Sequence, residues 1–168
     1  MTSLVHIGLG GNLGRREENL RLAAEALAAR PGVRLEAASA LYQTKPVGPD
    51  QPDYLNACLA LEVDLEPEAL LDELQAVETD AGRDRSREVR WGPRPLDLDV
   101  LIWEDRIMDT PRLKVPHPEM HRRAFVLRPL SDIAPLVVHP ILGRTVADLL
   151  DGLDENGVRL YKDAREWL

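Results

Sequence analysis

Few local structures suit the run Arg90-Trp-Gly-Pro-Arg-Pro-Leu-Asp-Leu-Asp-Val-Leu-Ile102. Prolines at 93 and 95 exclude a helix interior there, and the apolar and acidic residues after them alternate. Alternation predicts a strand over Asp97 to Trp103, with Asp97, Asp99 and Leu101 on one face and Leu98, Val100 and Ile102 on the other. The two aspartate Cα atoms then lie about 6.5–7 Å apart with their carboxylates pointing the same way. Like charges held that close call for a cation, and an oxygen-only pair suits Mg²⁺, which keeps waters and substrate phosphates in its other positions. The strand therefore predicts a metal–phosphate site.

The residues before this strand support that prediction. Five arginines (Arg83, Arg85, Arg87, Arg90 and Arg94) face only Asp84 and Glu88 between positions 83 and 94. A single arginine in a polar loop is ordinarily a solvated charge, but five leading into paired aspartates make an anion site. The chain as a whole carries a formal charge of −8, which argues against a nucleic-acid or membrane-surface binder and for a small polyanionic ligand. Cys58 is the single cysteine, so an internal disulfide framework and a cysteine zinc site are excluded and a reducing, cytoplasmic setting is expected. No apolar run is long enough to span a bilayer as a helix, and the N-terminus has no signal-peptide pattern.

With 168 residues the chain is expected to form one domain, residues 1–168. Leu4 to Leu9 predicts a strand ending in a glycine turn at Gly10-Gly11-Asn12-Leu13-Gly14, and Leu20, Ala24 and Leu27 mark a helix over Arg16 to Ala29. The Lys-Ser/Thr of a P-loop is absent, so the glycines are read as a tight strand-to-helix connection. Val33 to Tyr42 predicts a second strand. Gln43 to Asp53 is a proline-rich loop of a length that is usually functional. Tyr54 to Val63 alternates as a third strand, placing Tyr54 and Asn56 together at its loop end. Glu66-Pro67-Glu68 opens a second helix with Leu70, Leu74, Val77 and Ala81 inward, and Gly82 closes it. Past Trp103 the chain is proline-interrupted, a buried helix is expected over Val126 to Ile133, and another over Thr145 to Leu150. Strand, helix, strand, strand, helix, strand predicts a ferredoxin-like α+β fold: a mainly antiparallel sheet with four core strands, covered by helices.

Trp91-Gly-Pro-Arg-Pro-Leu-Asp-Leu-Asp-Val-Leu resembles the signature of the 6-hydroxymethyl-7,8-dihydropterin pyrophosphokinase family of folate biosynthesis. Gly10-Gly-Asn-Leu, Tyr42-Gln-Thr-Lys-Pro-Val-Gly-Pro, Gln51-Pro-Asp-Tyr-Leu-Asn, Gly82-Arg83, Val115-Pro-His117 and Arg123-Ala-Phe125-Val-Leu follow in the family's order. The resemblance covers about residues 4–135 and leaves 136–168 peripheral. It implies transfer of the terminal pyrophosphoryl group of ATP to the hydroxymethyl oxygen of a reduced pterin, releasing AMP, with two Mg²⁺ ions held by Asp97 and Asp99. Arg83 and Arg94 would stabilise phosphate charge. Thr44, Pro46, Val47 and Asn56 would bind the pterin edge and Tyr54 and Phe125 its faces. Gln75, Val100, His117 and Arg123, with Arg83 and Arg94, would lie on the nucleotide side. A monomer acting on two small molecules is implied. Gly11 stands where the family commonly has Ser, Pro118 where an aromatic is frequent, and the Arg83–Arg94 loop is one residue longer than in some members, so Arg85, Arg87 and Arg90 receive no role.

Other proteins pair carboxylates as well. Haloacid-dehalogenase-like phosphatases place the apolar strand before the first aspartate, whereas here it follows, and Asp-x-Asp nucleotide-sugar transferases share only the pair itself. A ferredoxin-like RNA-binding module needs aromatics and basic residues on its sheet face, and this chain has one phenylalanine and carboxylates there instead. A catalytically silent ligand-binding relative would have no need of an intact Arg94, Asp97 and Asp99.

Overall fold

A computed structural model of the chain describes every residue except Val47, Pro49 and Trp91. The chain runs β1 (Ser3–Gly11), α1 (Arg16–Ala28), β2 (Val33–Ala38), β3 (Leu41–Thr44), β4 (Tyr54–Val63), α2 (Pro67–Asp80) and β5 (Asp97–Trp103). There follow β6 (Met108–Asp109), β7 (Lys114–Val115), α3 (Ala124–Ile133), α4 (Val146–Asp151), β8 (Val158–Lys162) and α5 (Ala164–Trp167). The main sheet is antiparallel throughout, in the order β5-β1-β4-β3-β8, with β2 also on β4. Its four-strand core has the ferredoxin-like order expected from the sequence.

Each face of the sheet buries a separate apolar layer. The side chains of Val5, Ile7 and Leu9 meet Leu20 and Leu27 of α1 and Leu70 and Leu74 of α2. Cys58, Leu101 and Ile102 meet Leu127 and Leu130 of α3 and Leu149 of α4 on the opposite face. Truncating any of these fully buried leucines to alanine costs about 2–5 kcal/mol, transfer and cavity terms together. Pro67 at the first turn of α2 and Glu17 and Glu18 at the start of α1 suit the helix ends they occupy.

Several sequence expectations change. The strand read over Val33 to Tyr42 is two strands lying end to end along β4, with Val33 opposite Val63 and Tyr42 opposite Asn56. Between them Ser39 donates its backbone N–H to Cys58 O (2.9 Å) while its hydroxyl accepts the Cys58 N–H (2.8 Å). A side chain thus replaces a ladder bond and bends the strand. β5 spans the expected residues, but its pairing to β1 shifts between His6 and Ile7, so Ile102 joins Leu101 in the α3 layer instead of facing α2. β1 runs through Gly10 and Gly11, which are strand residues, not a turn. Residues 136–168, read as peripheral, carry β8, and this strand pairs with β3 at the sheet edge.

Candidate active site

One end of the three strands β4, β1 and β5 forms the floor of a cavity of about 500 Å³ on the α3 face of the sheet. In register, Gly10 lies between Asn56 of β4 and Asp97 of β5, and Gly8 lies between Cys58 and Asp99. Same-face residues on three adjacent strands therefore read amide, bare backbone, carboxylate, over a span of roughly 10 Å. Space favours glycine at position 10, where a Cβ would stand 2.7 Å from Asn56 Nδ2, the amide that Thr44 holds. The absent side chains of Gly8 and Gly10 leave a flat shelf between a hydrogen-bonding side chain and a charged one.

Thr44, Tyr54, Asn56, Arg94, Asp97, Asp99, His117, Arg123 and Phe125, singled out from the sequence, all line this one cavity. The Thr44 hydroxyl donates to Asn56 Oδ1 at 2.6 Å, which orients the amide with its N–H₂ group away from Thr44. Tyr54 donates its hydroxyl to Gly92 O (3.2 Å), and burial raises its pKa with the Arg94 charge opposing. The Arg123 guanidinium lies 5.7 Å from the centre of the Phe125 ring. His117 Nδ1 accepts the Glu119 N–H at 3.1 Å, so the neutral ring carries its proton on Nε2. Burial, and then the Arg123 charge, lowers the His117 pKa and favours that neutral form.

Arg94 Nε is buried without a hydrogen-bond partner among the described residues. A buried guanidinium N–H at a cavity wall is a donor awaiting an anion. Burial, together with the nearby Asp97 and Glu78 carboxylates, pushes the Asp99 carboxyl up to about 8, against the Arg123 and Arg83 charges. Hard oxygen donors paired on one strand face, with Asp99 left without a salt-bridge partner close by among the described residues, fit a divalent cation such as Mg²⁺. Among the described residues no cluster of three or more His, Cys, Asp or Glu side chains is placed to hold a metal, so a cation held by this pair would need water or phosphate oxygens as further ligands.

Other predicted residues lie elsewhere. Arg83 is almost fully buried behind the site, where its Nη1 donates to Glu78 Oε2 (2.6 Å) and Asp97 Oδ1 (2.8 Å) and its Nε to Glu88 Oε2 (2.6 Å). Burial alone would lower its pKa, but the three carboxylates raise it. Arg83 therefore holds Asp97 from the rear and does not line the main cavity. Gln75 is exposed on α2, where its Oε1 accepts from Arg112 Nη2 at 3.5 Å. Val100 packs in the α1/α2 layer, as the alternation of β5 requires. Pro46 is half-buried and outside the cavity lining, and Val47 lies outside the described residues.

Two contributors were not identified from the sequence. Asn12 is buried and accepts the Arg94 N–H at Oδ1 (2.9 Å), while its Nδ2 donates to Gln51 Oε1 (2.8 Å) and Pro52 O (2.9 Å). It ties the segment carrying Arg94 to the loop after Thr44. Glu78 accepts from Arg83, from Arg85 Nη2 (2.7 Å) and from the Leu98 N–H (2.9 Å). Glu78 had a signal: it falls four residues after Leu74 on the inward stripe of α2, where a carboxylate needs a partner.

An antiparallel ferredoxin-like sheet carrying two carboxylates, an unpaired arginine N–H and a flat polar shelf has the groups that a phosphotransfer enzyme uses. Residues 6–135 match the family model described as 7,8-dihydro-6-hydroxymethylpterin-pyrophosphokinase (HPPK), and the chain belongs to that family. It is 45% identical over 159 residues to the 2-amino-4-hydroxy-6-hydroxymethyldihydropteridine pyrophosphokinase of Pseudomonas aeruginosa, covering 94% of this chain and 96% of that one. The Bacillus subtilis protein of the same name is 40% identical over 163 residues, 96% of this chain and 92% of its own. The fold is shared with wild-type Plasmodium falciparum HPPK-DHPS with pteroate, at a TM-score of 0.71 and 12% identity over 90% of this chain. That alignment covers 44% of the Plasmodium protein, so the chain spans a little under half its length.

Proposed function

We propose that this protein transfers the terminal pyrophosphoryl group of ATP to the hydroxymethyl oxygen of 6-hydroxymethyl-7,8-dihydropterin, giving the pterin diphosphate and AMP in folate biosynthesis. The carrying observation is the row Asn56, Gly10, Asp97 across three strands, which sets an amide for a heterocycle edge beside a carboxylate for a phosphate-bound metal. Family membership and the full-length bacterial relatives support the same activity.

Thr44 and Asn56 read the edge of the pterin ring, and Tyr54 and Phe125 bound its faces over the glycine shelf. Asp97 and Asp99 hold two Mg²⁺ ions. Bound there, the metal supplies Lewis-acid neutralisation of the phosphate oxygens. Arg94 offers its free N–H to phosphate charge, and His117 Nε2 and Arg123 donate from the α3 side. Catalysis on this reading is positioning and electrostatics, as phosphoryl transfer chiefly needs. No helix of the described residues is long and apolar enough to cross a membrane, and a single chain supplies the whole cavity. The proposal includes a cytoplasmic location and a monomer acting on two small molecules.

Incubation with ATP, Mg²⁺ and the hydroxymethyl dihydropterin is expected to release AMP in step with pterin consumption. ADP or inorganic phosphate as the nucleotide-side product would overturn the proposal.

A further inference from the structure

The family match ends at residue 135, yet the cavity does not. Asp154, Asn156, Gly157 and Val158 form part of its wall. The first three lie in the turn before β8 and Val158 begins the strand, on the side of the cavity occupied by Thr44 and Lys45. We infer that this C-terminal turn and strand are a positioning element of the pterin pocket, holding Thr44 and Lys45 at the distance the heterocycle edge requires. The inference rests on the pterin reading of that pocket.

Four observations carry it. Thr44 pairs with Val158 at the end of the β3–β8 ladder, and the Lys45 N–H donates to Gly157 O at 3.1 Å just beyond it. The last backbone restraint on the Thr44–Lys45 segment therefore comes from the C-terminal turn. Gly157 has φ +86°, a backbone conformation that favours glycine, and a Cβ there would stand 3.3 Å from Lys45 Cδ, so the turn lies directly against the Lys45 side chain. The turn is closed on itself: the Asn156 N–H donates to Asp154 Oδ1 (2.8 Å), Asn156 Nδ2 to Asp154 Oδ2 (3.1 Å) and the Val158 N–H to Glu155 O (3.0 Å).

The element is also anchored at its far end. Trp167 is buried and donates its indole N–H to Ser39 O at 2.9 Å, at the bend between β2 and β3. Lys162 pairs with Glu17 of α1 (2.8 Å), and Arg128 of α3 with Glu155 (3.6 Å). The strand held between these contacts ends opposite Thr44, whose hydroxyl orients the Asn56 amide. Arg94, Asp97 and Asp99 stand on other strands and loops and receive no such restraint, so the effect falls on one substrate alone.

The test compares Gly157→Ala and the exposed turn variant Asp154→Ala with the wild type. KM for the dihydropterin, KM for MgATP, kcat and the thermal midpoint are measured, and 6-hydroxymethylpterin and Mg²⁺ with α,β-methylene-ATP are titrated separately. Gly157→Ala is expected to raise the pterin KM about five- to ten-fold, from the strain of alanine at positive φ, while KM for ATP stays within about two-fold. Asp154→Ala, a milder release of the turn, is expected to raise the pterin KM about two- to three-fold with kcat retained. Equal rises in both KM values, or an unchanged pterin KM in both variants, would overturn the positioning role. A wild-type protein that binds the nucleotide but no pterin would overturn the proposed activity and this inference together.

Discussion

Removing Glu78 tests whether the rear of the site organises its front. Its carboxylate is buried, with about 3% of the side chain exposed, and the Arg83 guanidinium that it meets is buried to the same degree. Breaking such a pair ordinarily costs about 3–5 kcal/mol, mostly because the surviving charge is left buried alone. Arg83 would not be alone, since Glu88 and Asp97 stay in contact, and that lowers the figure. Against this, the Leu98 N–H loses its acceptor, at about 1–3 kcal/mol for an orphaned buried donor. The two effects together give about 3–4 kcal/mol for Glu78→Ala. Glu78→Gln keeps an oxygen for Leu98 N and loses only the charge, for about 1–2 kcal/mol. With an m-value of about 2 kcal/mol/M, the Gln variant's urea midpoint is expected to fall by roughly 0.5–1 M at constant m. Because Arg83 Nη1 bridges Glu78 and Asp97, losing the rear anchor lets Asp97 shift, and kcat is expected to fall about ten-fold. KM for the pterin should change little, as neither Thr44 nor Asn56 touches the network. A Gln variant with wild-type urea midpoint and kcat would refute the claim that this buried cluster holds Asp97 in place.

Three further outcomes are expected. Arg94→Ala should lower kcat by about 10²-fold with the thermal midpoint nearly unchanged, as for loss of a transition-state donor; equal kcat values in a rapid-quench assay would make Arg94 a structural residue. Gly11→Ala should be more disruptive than its size suggests, because a Cβ at Gly11 would stand 2.3 Å from Pro95 O and must push the Arg94–Pro95 segment away. A loss of at least about ten-fold in kcat/KM is expected, in line with the sensitivity of near-attack geometry, and a crystal structure with Pro95 unmoved would contradict it. For pH dependence, His6 is buried with Nδ1 unpartnered among the described residues, and burial lowers its pKa from 6.5. Below that value the unfolded chain takes up a proton that the folded one refuses, so His6 makes stability fall as pH drops below about 6.5. His6→Gln should flatten the decline in unfolding free energy between about pH 7 and 5; an unaltered slope would show that His6 charges freely in the folded state.

Local pattern made much of this legible in advance. The bounds read from the alternation over Tyr54 to Val63 matched β4, because side chains along a strand alternate between the two faces of its sheet and little else repeats every two residues. Asp97 and Asp99 fell on one face for the same reason. The motifs quoted with them supplied nine residues that meet in the cavity, three of these (Arg94, Asp97 and Asp99) from the stretch around the two aspartates. Gln75 and Val100 did not come with them: one lies on the exposed face of α2 and the other points into the core beneath β5. The bend at Ser39 was hidden because a hydroxyl replacing a ladder hydrogen bond leaves the hydrophobic pattern of a strand intact. β8 went unseen because an edge strand with three of its five residues exposed carries no alternation to detect.

By itself, then, the sequence determined the order of strands and helices as far as β5, the β2–β3 bend apart, the face on which two carboxylates stand and the excess of arginine before them. These follow from near-neighbour periodicity, which the chain carries wherever it folds. Only the tertiary structure decided that Arg83 sits behind Asp97 while Arg94 faces the cavity, because two arginines in one loop differ only in the partners that burial assigns them. It also decided that Gly10 is a shelf between Asn56 and Asp97, a role that exists once β4, β1 and β5 lie side by side. The share of the C-terminal residues in the pocket was settled in the same way, by a strand pairing that joins positions more than a hundred residues apart.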